Sequence, residues 1–328
     1  MRSARLEMAL DSGLWPLPSE GIIAVIRPRT GDDLSALPKD RVEVVTGFKP
    51  DADWFAGRGY RVVTRAEGPY AAAVVCLPRA RAQGQALIAE AAARVAPGGP
   101  VAVDGQKTDG VDAMLKDLRG RVALSEALSK AHGKIAVFPA GPGLEDWAAR
   151  PAEVEGFRTV AGVFSADGID RGSALLAAAL PGEMKGKVAD LGAGWGFLAR
   201  AVLARTGVKE CHLVEAEAEA LDCARVNLVD ARAQFHWADA TTLRLPKLMD
   251  HVVMNPPFHA GRDADPALGL AFIGAAARAL APDGVLWLVA NRHLPYDRAL
   301  KALFREVQEI GGDAAFRVVR ASCPIRSR

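Results

Sequence analysis

The stretch Lys187-Val188-Ala189-Asp190-Leu191 is a short apolar run that leads straight into Gly192-Ala193-Gly194-Trp195-Gly196. A helical pattern follows over residues 197–206 and is closed by Gly207. A strand that turns through glycines into a helix cannot meet its neighbour as a hairpin. The helix must instead carry the chain back to a parallel strand. The downstream residues keep the alternation: strands over 210–214, 234–237, 251–254 and 285–290, and helices over 216–229 and 267–281. The last helix is stopped by Pro282-Asp283-Gly284, and another, over 172–180, precedes the series. This pattern predicts a doubly wound, mostly parallel sheet, a fold that binds ligands at the carboxyl ends of its strands.

The first half repeats the theme. Strands are expected over 22–28, 41–48, 60–65 and 70–77, then a helix over 79–96 stopped by Pro97-Gly98-Gly99. A strand over 101–103, a helix over 109–118 and a strand over 135–138 complete it. Residues 71–78 align with 251–257, and 91–103 with 275–285, which marks a duplicated domain. The copies differ where ligands bind. The first has no Asp-x-Gly-x-Gly loop, and reads Cys76-Leu77-Pro78-Arg79 where the second reads Asn255-Pro256-Pro257-Phe258. The expected architecture is α/β with two tandem Rossmann-like domains, a degenerate one over 1–150 and a complete one over 156–328. The polar, proline-containing stretch 151–156 joins them.

Composition narrows the function classes. The net charge of +2 on 328 residues gives no globally basic footprint. The final segment does collect Arg317, Arg320, Arg326 and Arg328, as a solvated basic end or a phosphate contact. Cys76, Cys211, Cys223 and Cys323 are scattered, which reads as reduced thiols in a cytoplasmic protein, without a disulfide framework or a metal site. No apolar run approaches the roughly 20 residues of a membrane span, and residues 1–10 lack the apolar core of a secretory signal.

The chemistry is concentrated in four places along the second half. Gly192 and Gly194 permit a tight turn and a close backbone approach to a ligand. A dinucleotide fingerprint would be Gly-x-Gly-x-x-Gly, whereas Gly192, Gly194 and Gly196 are spaced by two. Asp190 just before them would crowd a pyrophosphate and suits a cationic amino group instead. Glu215, one strand later, is placed to accept ribose hydroxyls, and Asp239-Ala240, after the third strand, to accept an adenine amino group. At the end of the fourth strand, Asn255-Pro256-Pro257-Phe258 is a stiff corner, because proline offers no amide to continue a ladder. It presents an amide, a carbonyl and an aromatic ring, which suit a planar group bearing an NH₂.

In combination these motifs resemble class I S-adenosylmethionine-dependent methyltransferases, and Asn-Pro-Pro-aromatic resembles their amino-methylating branch. The segment from Gly162-Val163-Phe164-Ser165 to Asp170-Arg171-Gly172-Ser173, the corner with His259, Asn291-Arg292-His293 and the ending Phe316–Ala321 narrow the resemblance. They are similar to the RsmC/RlmG group of ribosomal RNA guanine-N2 methyltransferases, strongly from about Gly162 onward. Trp195 and Arg171 are local departures. The resemblance implies a class I methyltransferase domain in each half, S-adenosylmethionine as cofactor, ribosomal RNA or the 30S subunit as partner, a monomer and no metal. It implies cofactor contacts at Phe164, Asp190, Gly192, Ala193, Gly194, Glu215, Ala216, Asp239, Ala240 and Asn255. Substrate would be held by Asn255, Pro256, Pro257, Phe258 and His259, with Asn255, Pro256 and Phe258 acting on the reacting base. Asn255 Oδ1 and the Pro256 carbonyl would accept the two N–H bonds of a guanine 2-amino group while Phe258 stacks on the ring. Transfer to guanine N2 of 16S rRNA is favoured. Other substrates that share Asn-Pro-Pro-aromatic are 23S rRNA guanine, adenine N6 and protein glutamine N5. An RNA-binding assembly factor is the non-enzymatic alternative.

Overall fold

The computed structural model describes residues 2–257, 259, 260, 263, 264 and 266–326, with 259, 260, 263 and 264 described by backbone alone. Phe258 therefore lies outside the described residues, and so does the side chain of His259. The chain divides into two compact units, Met1–Pro151 and Ala152–Arg328.

In the first unit, α1 (Ser3–Asp11) precedes strands β1 (Ile23–Ile26), β2 (Val42–Val45), β3 (Arg61–Val63), β4 (Ala72–Cys76), β5 (Pro100–Gln106), β6 (Leu128–Lys130) and β7 (Gly133–Pro139). Helices α2 (Lys49–Ala56), α3 (Arg81–Arg94) and α4 (Val111–Arg119) make the crossovers. The sheet order is β3-β2-β1-β4-β5-β7-β6, with β7 antiparallel between its neighbours. Strands β1, β2 and β4 are buried at every position, as parallel strands covered on both faces must be. One apolar core lies on each face of the sheet.

The second unit opens with a hairpin of β8 (Ala152–Val154) and β9 (Phe157–Thr159), followed by α5 (Arg171–Ala179). Then come β10 (Glu183–Leu191), α6 (Phe197–Leu203), β11 (Thr206–Glu215), α7 (Ala218–Asn227), β12 (Ala233–Trp237) and β13 (Met249–Met254). The two-residue strands β14 (His259–Ala260) and β15 (Asp263–Ala264) pair with each other before α8 (Pro266–Ala279). β16 (Leu280–Asn291), α9 (Asp297–Leu303), β17 (Phe304–Gly312) and β18 (Phe316–Pro324) complete the unit. The sheet order, β12-β11-β10-β13-β16-β18-β17, repeats that of the first unit strand for strand, with β18 antiparallel in the same place as β7. The duplication expected from the sequence is thus a duplication of topology: two tandem Rossmann-like methyltransferase folds. The loop after β1 reads Arg27-Pro28-Arg29 and β2 runs into Thr46. Neither carries the glycines or the acid found after β10 and β11, so the first fold is degenerate at its ligand edge.

Three expectations need correction. The helix expected over 197–206 stops at Leu203, because Thr206 already pairs with Glu183 at the start of β11. Helices α1, α2 and α9 and the strands β6, β8, β9, β14, β15, β17 and β18 are additional to those read from the sequence. Arg317 and Arg320 lie in strand β18 and not in a tail, while Arg326 is exposed. Arg317 is 8% exposed and bonds Asp297 at 2.6 Å, Arg320 lies 3.6 Å from Glu306, and Arg326 donates to the Leu280 carbonyl. Arg328 lies outside the described residues.

Candidate active site

The glycine loop hangs from the carboxyl ends of β10 and β11. The Gly192 and Ala193 amides both donate to the Val214 carbonyl, at 2.9 and 3.1 Å. Gly194 has φ +54°, and nothing lies within 4 Å of the position its Cβ would occupy, so the loop backbone is open on one side. Glu215 ties this loop to β11: its Oε2 accepts the Gly194 amide and its Oε1 the Glu217 amide, both at 2.8 Å. Each carboxylate oxygen keeps a lone pair for a ligand hydroxyl. Burial pushes the Glu215 carboxyl up, and the two amides oppose it.

Asp190 lies beneath the loop, fully buried, and neither carboxylate oxygen has a hydrogen-bond partner among the described residues. Burial, reinforced by the charge of Glu215 and only partly offset by the nearby Ala199 amide in the first turn of α6, pushes its carboxyl up to about 8. A buried acid without a partner is costly and needs a reason. A cation arriving above the glycine loop supplies one, since it would favour the ionised acid. A loop with two acids beneath it and no cation among its lining residues offers nothing to a phosphate and gains most from a cationic ligand, with Glu215 left to accept ribose hydroxyls. S-adenosylmethionine fits that description.

At the end of β13 the corner is built as the prolines require: Asn255 is half-buried, Pro256 buried and Pro257 exposed. The Asn255 Nδ2 donates to Asp170 Oδ2 at 2.7 Å and to Ser173 Oγ at 2.9 Å. A carboxylate can only accept, so these bonds decide which end of the amide faces which way. The NH₂ is used up inside the protein. Oδ1 carries no bond among the described residues and is left as an acceptor at the cleft that Asn255 lines. The Pro256 carbonyl likewise accepts no backbone amide among the described residues.

A third wall comes from the segment after β9. Phe164 and Ser165 line the same cleft as Asp170, Ser173, Gly192, Ala193, Gly194, Trp195 and Asn255, and its volume is about 390 Å³, including open solvent. Phe164 is 60% exposed, unusual for a phenylalanine. It is held through its backbone, since the Trp195 indole N–H donates to the Phe164 carbonyl at 2.8 Å. The Trp195 ring is buried edge-to-face against Phe157, with centroids 4.8 Å apart, in a small core with Val163, Ala220 and Cys223. Asn227 adds a clamp by donating to the carbonyls of both Trp195 and Arg158. Trp195, read from the sequence as a departure, therefore ties the Phe164 segment to the glycine loop.

Phe164, Gly192, Ala193, Gly194 and Asn255 are brought together in this cleft, with Asp190 below it and Glu215 bonded to its loop. Asp239 follows β12, where its Oδ1 accepts the amide and hydroxyl of Thr241. Ala240 is buried, and the Ala216 carbonyl accepts the Trp237 indole N–H. These three residues do not line the cleft. His251 does not reach it either. Its Nδ1 takes the Trp287 indole N–H at 3.3 Å, and burial lowers the pKa of the ring. Arg292 is bonded to Asp313 and Glu309. Sequence reasoning missed Asp170 and Ser173. The signal available was the helix N-cap pattern Asp-x-x-Ser, which announces a cap but not a partner 85 residues away.

Residues 155–320 match the family model described as "Methyltransferase small domain". The chain is 32% identical to ribosomal RNA small subunit methyltransferase C of Pseudomonas aeruginosa, over 81% of this chain and 83% of that one. It is 36% identical to ribosomal RNA large subunit methyltransferase G of Shewanella amazonensis, over 48% of this chain and 43% of that one. Among solved structures it is similar to the Thermus thermophilus 16S rRNA N2 G1207 methyltransferase (RsmC), described in complex with AdoMet and guanosine. The TM-score is 0.79 at 25% identity, covering 98% of this chain and 91% of that one.

Proposed function

The chain belongs to the RsmC/RlmG-type methyltransferases of the methyltransferase small domain family, and from that premise we propose that it methylates the exocyclic N2 of a guanine in ribosomal RNA. S-adenosylmethionine is the cofactor and, when bound, supplies a methyl group activated by a sulfonium sulfur. The observation that carries the proposal is the orientation of Asn255. Its NH₂ is tied to Asp170 and Ser173, so an acceptor oxygen faces the cleft.

The reaction asks little base strength of the protein. An aryl amine's lone pair is delocalised into its ring, so the amine must be turned and rehybridised rather than deprotonated in advance. Asn255 Oδ1 and the Pro256 carbonyl accept the two N–H bonds of the 2-amino group. That aims its lone pair away from them and stabilises positive charge as it develops on nitrogen. The base must be unpaired or flipped to enter, and stacking on Phe258 then offsets roughly 1–3 kcal/mol of that cost. Asp190 provides negative potential beneath the glycine loop, Glu215 accepts ribose hydroxyls, and Asp239 with Ala240 receives the adenine. Phe164 covers the donor. His251 and His259 take no proton, because the methylated amine can lose its proton to water.

The small subunit is the favoured substrate, since the relatives named for it match both units of this chain, whereas the large-subunit relative matches about half of it. The unit over 156–328 is the catalytic one. The unit over 1–150, without a glycine loop, binds RNA or stabilises its partner. The protein acts as a monomer in the cytoplasm; among the described residues no helix is long and apolar enough to cross a membrane. Incubation with methyl-labelled S-adenosylmethionine and, separately, 30S subunits, 50S subunits and protein-free rRNA tests the substrate. Label should enter 16S rRNA in 30S subunits; label confined to 23S rRNA, or absent throughout, contradicts the proposal.

A further inference from the structure

The proposed role of Asn255 depends on which way its amide points, and the amide is not held by its own strand. An asparagine at a half-buried strand end can rotate about its last bond and exchange oxygen for nitrogen. With the NH₂ in the cleft the corner would present a donor to a substrate amine, which would repel it. Asp170 removes that freedom. It is the N-cap of α5, where its Oδ2 accepts the Ser173 amide at 2.7 Å, and the same oxygen accepts Asn255 Nδ2 at 2.7 Å. Ser173 contributes its hydroxyl to the same NH₂ at 2.9 Å. The space for this arrangement is reserved by Gly172, where an added Cβ would lie 3.1 Å from Asp170 Oδ2 and 3.1 Å from the Phe316 ring.

We infer that Asp170, assisted by Ser173, is a positioning residue for methyl transfer: it locks the Asn255 amide with Oδ1 towards the substrate amine. The inference rests on the function proposed for Asn255. An ordinary N-cap needs only a short side-chain oxygen, and serine serves as well as aspartate. Asp170 does more than cap, because a single carboxylate oxygen bridges a helix terminus and a residue on the opposite wall. Its charge also strengthens the bond to the Asn255 N–H, since charge-assisted hydrogen bonds are roughly twice as strong as neutral ones. Polarising the amide in this direction leaves more negative charge on Oδ1, where the developing cation is met.

The design of the test follows from separating capping from locking. Asp170→Ser keeps a cap of the same rank for α5 but is too short to reach Asn255. Asp170→Asn keeps an acceptor oxygen that can face both partners. Both are compared with wild type in steady-state methylation of 30S subunits, in S-adenosylhomocysteine binding by calorimetry and in thermal unfolding. Asp170→Ser should unfold at nearly the wild-type temperature and bind S-adenosylhomocysteine within about twofold of wild type, yet lose about 10–100-fold in kcat, as expected for a lost bond to a charged group. Asp170→Asn should recover to within about fivefold of wild-type kcat. An Asp170→Ser protein as fast as wild type overturns the inference. So does a loss matched by an equal loss of S-adenosylhomocysteine affinity, or an Asp170→Asn protein no faster than Asp170→Ser. A wild-type protein that methylates no RNA sinks the functional proposal itself, and this inference with it.

Discussion

Replacing Asp190 by asparagine keeps the shape of the side chain and removes its ionisation. The folded protein holds this carboxyl neutral to about pH 8, against an ordinary value of 3.8. Between those values the unfolded chain binds fewer protons than the folded one, so wild-type stability falls as pH rises and levels off above about 8. From 3.8 to pH 7 is about three units, each worth about 1.4 kcal/mol, so the penalty at neutral pH is about 4 kcal/mol at most. Glu215 is also pushed up by burial, and its charge contributes to the rise at Asp190. Asp190→Asn should therefore stabilise the donor-free protein by about 2–4 kcal/mol at pH 7–8, and by less than about 2 kcal/mol at pH 5. Urea unfolding followed by tryptophan fluorescence at pH 5, 6, 7 and 8 measures the difference. The variant should also bind S-adenosylmethionine more weakly, with the deficit growing from pH 6 to pH 8 as the wild-type acid ionises. A variant that is less stable than wild type, or whose gain is the same at every pH, refutes the reasoning.

Asn255→Ala removes the acceptor and leaves Phe164, Asp190, Glu215 and the glycine loop in place. It should lower kcat by about 10²–10³-fold, as when one oxyanion-hole group is removed, while S-adenosylhomocysteine binding measured by calorimetry stays near wild type. Trp195→Phe keeps the ring in its pocket against Phe157 and deletes the N–H bonded to the Phe164 carbonyl. The covering segment should loosen, and S-adenosylhomocysteine affinity should fall about 3–10-fold, the worth of one buried hydrogen bond. In the first unit, Asp104 is fully buried and accepts from Arg2 and from Arg5, whose two bonds are 2.5 and 3.0 Å long. Asp104→Ala leaves the buried Arg5 guanidinium without its carboxylate, while Arg2 keeps Asp32 at 2.9 Å, and should cost about 3–5 kcal/mol in urea unfolding.

Local signals carried most of what could be read without coordinates. The strand, glycine turn and helix around Asp190–Leu203 are consecutive in sequence, and so are the apolar run and the double proline that make the Asn255 corner. The second copy of the fold was visible because residues 71–78 and 91–103 repeat the order of residue types in their counterparts, although the interval from Pro78 to Pro97 is shorter than that from Pro257 to Pro282. What escaped was set by tertiary partners. The Asp170–Asn255 bond joins residues on different elements, and a cap pattern gives no hint of it. Trp195 looked like an intrusion in the loop because its partners, Phe157 and the Phe164 carbonyl, lie some thirty or more residues away. The C-terminal arginines looked like a tail because strand β17, which supplies Glu306 as a partner, is mixed polar and apolar and only weakly periodic.

The proposed function stands on Asn255 as the acceptor of a guanine 2-amino group. Nucleoside mass spectrometry tests it most directly, on 30S subunits treated with wild-type protein and S-adenosylmethionine. The expected result is N2-methylguanosine as the one new modified nucleoside, and its absence after treatment with Asn255→Ala. Methylation at adenine N6 instead, or N2-methylguanosine formed equally well by Asn255→Ala, would contradict it.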